Sequence, residues 1–368
     1  MAGLTATRYG LMALGGIGLI AGLTGALVLL GVPMPAPARS LGADHGALMT
    51  LGFLGTLISL ERAVALGRGW GYLAPLLTGA GGLALIADAP ALLALTLFTG
   101  GAAVFVAMYV AFDRIERSLH TSVQAVGALA WLGAAILLLG GRTETEVVPW
   151  LAAFLVLTIA GERLELSRLA QLTNRARIGF VAGAAIFCIG VAMSVASADI
   201  GMRVGGVGLV ALAAWLARND VARRTVRIKG TPRFVALSLL SGYTWLAVGG
   251  ACWLLFGATP GGPAYDAMLH AVFLGFVMSM VFGHAPIILP AVLGTPLPFR
   301  PRFYVHLGLL HLGLLLRIGA GDLFGVEAAW RLGGVLNVTA LLVFVISSAL
   351  AIAMERRSSL RAVPAPSS

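Results

Sequence analysis

Charged side chains are scarce in this sequence. They make up 11% of its 368 residues, whereas hydrophobic residues make up 59%. A soluble domain carries about 25% charged residues, so this chain cannot cover a water-facing surface of its own length. The net charge of +10 does not indicate a nucleic-acid partner, because the basic residues sit in short loops between apolar runs. A soluble protein is excluded, and the composition predicts a lipid bilayer as the main solvent.

Cysteine is scarce, and several common motifs are missing. The two cysteines, Cys188 and Cys252, lie inside apolar runs and belong to no C-x-x-C or C-x-x-C-H motif, which excludes covalent haem attachment through such a motif. There is no Walker A sequence, no G-x-G-x-x-G on a strand–helix unit and no nucleophile elbow. The stretch GGIGLIAGLTG is typical of a small-residue packing face between membrane helices, not of a phosphate loop.

The sequence does contain a series of apolar runs, each long enough at roughly 20 residues to cross a hydrocarbon core of about 30 Å. Because each span must satisfy its own backbone hydrogen bonds, the runs are predicted to be helices. The predicted spans are 9–32, 44–66, 71–88, 90–112, 120–140, 147–169, 178–197, 200–217, 234–256, 264–292, 303–320 and 327–354. We therefore predict an all-α integral membrane protein of about twelve transmembrane helices, with one transmembrane domain at 1–355 and a loose cytoplasmic tail at 356–368.

The distribution of Lys and Arg predicts the orientation. With the N-terminus inside, the outer side keeps only five of the 25 basic residues, namely Arg39, Arg142, Arg203, Arg317 and Arg331. The others collect on the cytoplasmic side, above all in the run from Arg218 to Arg233. This bias indicates a multi-pass protein of a bacterial inner (plasma) membrane with both its N-terminus and its C-terminus in the cytoplasm.

A weak internal repeat of about four helices is visible. The second predicted helix ends in TLISLERAVALGR, the sixth ends in LTIAGERLELSRL, and the tenth contains SMVFGHAPIILP, which aligns Glu61, Glu162 and His284. Three units at 1–115, 116–230 and 231–355 would place these helices around a pseudo-threefold axis. The alternative is chance similarity, which arises easily between short apolar segments.

Two histidines near the predicted outer face could hold a haem. His45 opens the second helix and His270 lies early in the tenth, so they sit at similar depth on two helices that run in the same direction. Two neutral imidazoles on facing helices are what a bis-histidine haem b requires, and Arg317 and Arg331 could pair with its propionates. The alternative is an interfacial histidine and a hydrogen-bonded packing histidine.

A second layer of ionisable residues is predicted near the inner face, about 24 Å from His45 along the second helix. Glu61, Glu162 and His284 would converge there if the repeat is real, with His306 or His311 nearby. Carboxylate and imidazole together suit copper, iron, zinc or manganese. The alternatives are ion pairs at the membrane boundary, with arginines reaching water, or a proton path. Arg62 and Arg163 follow the two glutamates directly, and neighbouring residues on a helix are expected to face different sides.

Two segments resemble known families. DHGALMTLGFLGTLISL is similar to the second helix of the haem–copper oxidase subunit I superfamily, and DAMLHAVFLGFVMSMVFGHAPIILPAVLGTPL resembles the NnrS family. NnrS proteins are twelve-helix membrane proteins that carry haem and copper and are linked to nitric oxide tolerance and denitrification. The resemblance implies a pseudo-threefold, oxidase-like arrangement of four-helix units. It also implies a haem ligand at His45 and haem or metal ligands at His270 and His284.

The chain departs from both family patterns. It has no histidine in the sixth or seventh helix and no His-x-His, and His284 is followed by Ala285 and Pro286. A divergent branch in which Glu61 and Glu162 serve as substitute metal ligands would account for these differences.

Three functional hypotheses follow from these residues. The leading one is a haem- and metal-binding inner-membrane protein related to nitric oxide metabolism or tolerance, or to respiratory electron transfer, with a small gas or an electron donor as partner. Such a protein could be an oxidoreductase. The second is a proton- or ion-coupled secondary transporter that uses Glu61, Glu162 and His284. The third is a non-catalytic haem or copper assembly factor.

Overall fold

The computed structural model describes residues 2–167 and 172–361, with side chains described for 5–167 and 172–355. Helix accounts for 85% of the structure, and no strand occurs among the described residues, which confirms the all-α prediction. Within these two ranges, twelve helices are long and apolar enough to cross a membrane. They are α1 (Ala2–Leu29), α2 (His45–Leu66), α3 (Gly69–Ile86), α4 (Ala91–Ile115), α5 (Leu119–Leu139), α6 (Glu144–Ser167), α7 (Asn174–Met193), α8 (Ala198–Asn219), α9 (Thr231–Phe256), α10 (Gly262–Leu293), α11 (Phe303–Leu323) and α12 (Glu327–Arg361).

Several helices begin or end at capping residues, and the helix bounds agree with the predicted spans to within four residues, except that α1 begins at Ala2 instead of residue 9 and α12 ends at Arg361 instead of residue 354. Gly67 ends α2 in the left-handed conformation at φ 67°, and Gly294 ends α10 in the same way at φ 65°, a conformation that costs glycine little. Ser118 starts α5 by accepting a hydrogen bond from the Thr121 N–H.

Parts of two predictions fall at the edges of the described residues. The last helix continues to Arg361, so the first residues of the segment predicted as a loose tail are helical. Residues 168 and 169 of the predicted sixth span, and residues 362–368 of the tail, lie outside the described residues.

Three helices form the centre of the bundle. In the most apolar stretch of α6, 89% of the residues are buried inside the protein. The corresponding share is 61% in α2 and in α10, and it is lower in each of the other nine membrane helices described. Both α2 and α6 contact α10. Around this centre α4 contacts α5, α8 contacts α9, and α12 contacts α1, so the last helix of the chain packs beside the first.

The start of the chain packs against α2 through small residues, as the GGIGLIAGLTG stretch predicts. A Cβ placed on Gly18 of α1 would lie only 3.0 Å from the backbone carbon of Gly52 in α2. Glycine at position 18 therefore allows the backbones of α1 and α2 to approach closely, and Gly52 does the same between α2 and α3, where its Cβ would lie 3.5 Å from Gly82 Cα.

Wider π-helical turns interrupt three of the membrane helices. They cover Leu48–Gly55 in α2, His270–Met278 in α10 and Leu315–Leu323 in α11. Such turns are rare and occur frequently at functional sites. The first begins three residues after His45, the second begins at His270, and the third contains Arg317, so all three adjoin residues predicted to carry chemistry.

Candidate functional site

His45 and His270 line one pocket, which we call the His45–His270 pocket. Residues from α1, α2, α6, α10, α11 and α12 surround it. Its walls are mostly apolar and include Leu23, Met49, Leu151, Phe273 and Leu341. The structure thus brings together the two histidines that the sequence placed at similar depth on different helices.

Each of these histidines is anchored by one ring nitrogen. The Nδ1–H of His45 donates to the carbonyl oxygen of Gly22 at 2.7 Å, and the Nδ1–H of His270 donates to the carbonyl oxygen of Asp266 at 2.9 Å. A neutral imidazole that donates through Nδ1 presents a lone pair at Nε2. This is the arrangement that metal-ligating histidines adopt, with the second nitrogen fixing ring orientation.

The two arginines predicted to pair with propionates have other partners. Arg317 lines the pocket, but its guanidinium donates to both carboxylate oxygens of Asp266, at 2.7 and 2.6 Å, and lies 5.2 Å from the ring centroid of Trp330. Arg331 pairs with Glu327 at 2.8 Å on an exposed surface. Asp266, which the sequence analysis missed, therefore links Arg317 to the backbone that anchors His270.

The donor set and the shape of this pocket are compatible with a haem. Two lone pairs from facing imidazoles and apolar walls are what the group requires. The cavity volume of the cleft is about 150 Å³, and its empty space, including the part that is open to the surroundings, is about 990 Å³. A tetrapyrrole would extend into this open space, and the flexible side chains of Met49 and Met278 at the wall can rearrange to accept it.

Glu61, Glu162 and His284 line a second pocket, which we call the Glu61–Glu162 pocket. Arg62 lies between the two carboxylates: its Nη2 donates to Glu61 Oε1 at 2.8 Å and to Glu162 Oε1 at 2.5 Å. The long side chain of Arg62 bends back to Glu61, the preceding residue. The sequence analysis did not predict this contact, because neighbouring residues on a helix were expected to face different sides. A guanidinium thus already supplies positive charge where a metal cation would sit between the carboxylates.

His284 is the third ionisable residue of this pocket. Its Nδ1–H donates to the carbonyl oxygen of Met280 at 2.7 Å. Its Nε2 is buried and has no hydrogen-bond partner among the described residues. A buried polar atom without a partner is costly, which suggests that a ligand completes its bonding.

His306 and His311 lie away from both pockets. His306 is enclosed by aromatic rings, with the Phe282 and Phe344 centroids at 4.6 and 5.3 Å. Nδ1 of His311 accepts a hydrogen bond from Trp245 Nε1 at 3.0 Å. Within the described residues, no group of three or more His, Cys, Asp or Glu side chains is placed to hold a metal ion. The metal site predicted from these histidines stays a prediction.

A buried ion pair near the Glu61–Glu162 pocket was not anticipated from the sequence. Arg163 donates through Nε and Nη2 to the two oxygens of Asp220, at 2.7 and 2.8 Å, and Tyr243 Oη donates to the same carboxylate at 2.6 Å. The side chains of Arg163 and Asp220 are 3% and 0% exposed. Arg163 lies in α6, Asp220 directly follows α8, and Tyr243 lies in α9. These three side chains therefore link α6 to α9.

The ionisation of Asp220 is set by these contacts. Burial alone would raise its pKa, but the hydrogen bonds and charge of Arg163 outweigh burial and hold the pKa below its ordinary value of 3.8. The carboxylate therefore stabilises the fold above pH 3.8. That stabilisation is lost as the pH falls through the lower pKa of the folded protein.

Comparison with known proteins gives a family without a stated activity. A family model described as Domain of unknown function (DUF8744) matches residues 8–353. The match therefore includes the residues of both pockets. No curated protein matches the chain.

Proposed function

The chain belongs to the family described as Domain of unknown function (DUF8744), and from its own residues we propose that it binds a b-type haem in the membrane. Its role would be electron transfer in respiration or in nitric oxide metabolism. The observation that carries the proposal is the pair His45 and His270, which line one apolar pocket with each Nδ1 bound to a backbone carbonyl.

The arrangement of the helices supports an oxidase-like plan. The most buried helices are α2, α6 and α10, which are spaced four helices apart along the chain, and the last helix, α12, packs against the first, α1. This is what three four-helix units around a pseudo-threefold axis would produce. With the orientation taken from Lys and Arg, the His45–His270 pocket lies toward the outer face of a bacterial inner membrane.

The residues around the pocket have distinct roles in this proposal. His45 and His270 would hold the iron, and a haem so held supplies one-electron transfer. The carboxylate of Asp266 lies 3.3 Å from Nδ1 of His270 and pairs with Arg317, so it fixes both the orientation and the local charge of that imidazole. The apolar walls exclude water, which favours retention of an apolar macrocycle.

The direct test is the absorption spectrum of the purified protein, dithionite-reduced minus oxidised, after expression with added haem precursor. We expect a b-type spectrum and about one non-covalent haem per chain, because the site offers two histidine nitrogens and no C-x-x-C-H motif. A protein that is folded but colourless after haem supplementation would overturn the proposal. Haem binding without electron transfer to any acceptor would instead indicate an assembly or delivery factor.

A proton-coupled transporter is the second candidate, and the Arg62 contacts favour it. One guanidinium between two carboxylates leaves one negative charge without a partner in a low-dielectric setting, so the cluster can take up a proton. If it does, proteoliposomes should show proton-coupled solute uptake that falls at least about tenfold in Glu162→Gln. Glu165→Gln is the matched control, because Glu165 lies on the same helix but its side chain is 50% exposed. Equal uptake in the two variants would exclude the cluster as the coupling site.

A further inference from the structure

The Glu61–Glu162 pocket opens sideways toward the bilayer. It is formed by α1, α2, α6, α10 and α12, and its lining is almost entirely apolar. Val345 and Ala349 of α12 line the pocket and are also exposed on the protein surface. Exposed apolar residues in the middle of a membrane helix face lipid. A ligand would therefore enter this pocket from the membrane, not from water.

The polar end of the pocket offers hydrogen-bond acceptors. Because the Nδ1–H of His284 is used by the Met280 carbonyl, its unpartnered Nε2 presents a lone pair. The carboxylate of Glu61 is also an acceptor, and Arg62 contacts only its Oε1. His284 as a whole residue is 8% exposed, so water is largely excluded from this imidazole. The ligand that suits this end of the pocket is an otherwise apolar molecule with a hydroxyl group, because the hydroxyl can donate a hydrogen bond to these acceptors.

The dimensions of the pocket suit a ring with a tail. Its cavity volume is about 270 Å³, and its empty space, including the part that is open to the surroundings, is about 1310 Å³. An apolar cavity of about 150 Å³ holds a benzene ring, so this cavity accommodates a substituted six-membered ring. Phe53 and Phe344 contribute aromatic wall surface, and the apolar cleft that continues past Leu11 and Ile352 can take a long hydrocarbon chain.

We infer that the Glu61–Glu162 pocket binds a membrane-soluble hydroquinone with an apolar tail. Nε2 of His284 accepts a hydrogen bond from one ring hydroxyl, and the tail lies along α1 and α12. The inference depends on the second pocket alone, so it stands or falls separately from haem binding at His45 and His270.

Two glycine-to-leucine substitutions on α1, one inside the pocket and one outside it, test the inference. Gly16 lines the pocket, and a Cβ built on it meets nothing within 4 Å, so Gly16→Leu fills the cavity without displacing the backbone. Gly10 lies on the same helix, also has open space around its Cβ, and does not line the pocket. Gly10→Leu therefore carries the same change in helix propensity and apolarity without obstructing the site.

The measurement is the binding of tritiated decylubiquinol, kept reduced, to the purified full-length protein in phosphatidylcholine nanodiscs, with empty nanodiscs as background. We expect saturable binding of about one molecule per chain for the wild type and for Gly10→Leu, and affinity at least about tenfold weaker for Gly16→Leu. His284→Leu should weaken binding by about tenfold through the lost hydrogen bond. His311→Gln, which replaces a histidine outside the pocket that contacts Trp245, should bind like the wild type.

Three outcomes would overturn the inference. One is wild-type binding no greater than that of empty nanodiscs. Another is Gly16→Leu binding with wild-type affinity, which would place the ligand elsewhere. The third is displacement of decylubiquinol by decanol at equal concentration, which would show a general site for alkyl alcohols without selection for the ring. Because the tritium label reports on the Glu61–Glu162 pocket and the absorption spectrum reports on the His45–His270 pocket, a failure here says nothing about the haem proposal.

Discussion

Alanine at either His45 or His270 is expected to remove bound haem from the purified protein. Each variant deletes one of the two imidazole nitrogens proposed to hold the iron, and no third histidine lines the pocket among the described residues. Losing a group that merely orients a ligand costs about 10- to 100-fold in metal affinity. Losing the ligand itself should cost more.

The measurement is the reduced-minus-oxidised spectrum together with haem quantification, at equal protein concentration. His311→Gln is the matched control. His311 is a partly buried histidine outside the pocket, and the side-chain oxygen of a glutamine can still accept the hydrogen bond that Trp245 donates to His311. We expect this control to retain wild-type haem content. If His45→Ala and His270→Ala both retained full haem content while His311→Gln lost it, the assignment of the ligands would be wrong.

Asp220→Ala is expected to lower the free energy of unfolding by about 3–5 kcal/mol. The substitution leaves the Arg163 guanidinium buried without its bidentate partner and deprives Tyr243 Oη of its acceptor. Removing one member of a buried ion pair costs far more than the pair contributes, because the remaining charge stays desolvated. Thermal unfolding of the protein in a mild detergent, followed by circular dichroism, measures the loss.

Two further variants separate this explanation from a general effect of losing an aspartate. Asp199→Ala breaks an exposed pair with Arg203 and should change stability little. The double variant Arg163→Met/Asp220→Ala should recover much of the loss, because no charge is left buried. Equal losses in Asp220→Ala and Asp199→Ala, or no recovery in the double variant, would contradict the role assigned to the buried pair.

The fold was predictable because hydropathy dominates it. An apolar run of about 20 residues has one stable conformation in lipid, so the twelve helices could be read from the sequence with errors only at their ends. The pockets were partly predictable. His45 and His270 meet, and Glu61, Glu162 and His284 meet, because aligned positions on helices of like direction lie at similar depth.

Side-chain partners were harder to predict than positions. Arg62 reaches back to Glu61 because a four-atom stem can cross the angle between neighbouring helix positions, which spacing rules ignore. Asp220 follows α8 in a basic loop, where its partner Arg163 is 57 residues away. His306 looked like a candidate ligand, but a ring of phenylalanines surrounds it. No local pattern in the sequence signals such long-range contacts.

The π-helical turns give two of the membrane helices a place where a change in length can be absorbed. Leu48–Gly55 lies between His45 and Glu61 on α2, and His270–Met278 lies between His270 and His284 on α10. Because a π-helical turn holds more residues than an α-helical turn, deleting one residue from either segment can convert a π-helical turn to α-helix and leave the two ends of that helix in register. A deletion in the α-helical stretch that begins at Thr56 would instead rotate one end of α2 about 100° relative to the other and shorten it by about 1.5 Å. The position of a deletion along these helices therefore decides whether descendants of this chain keep both sites or only one.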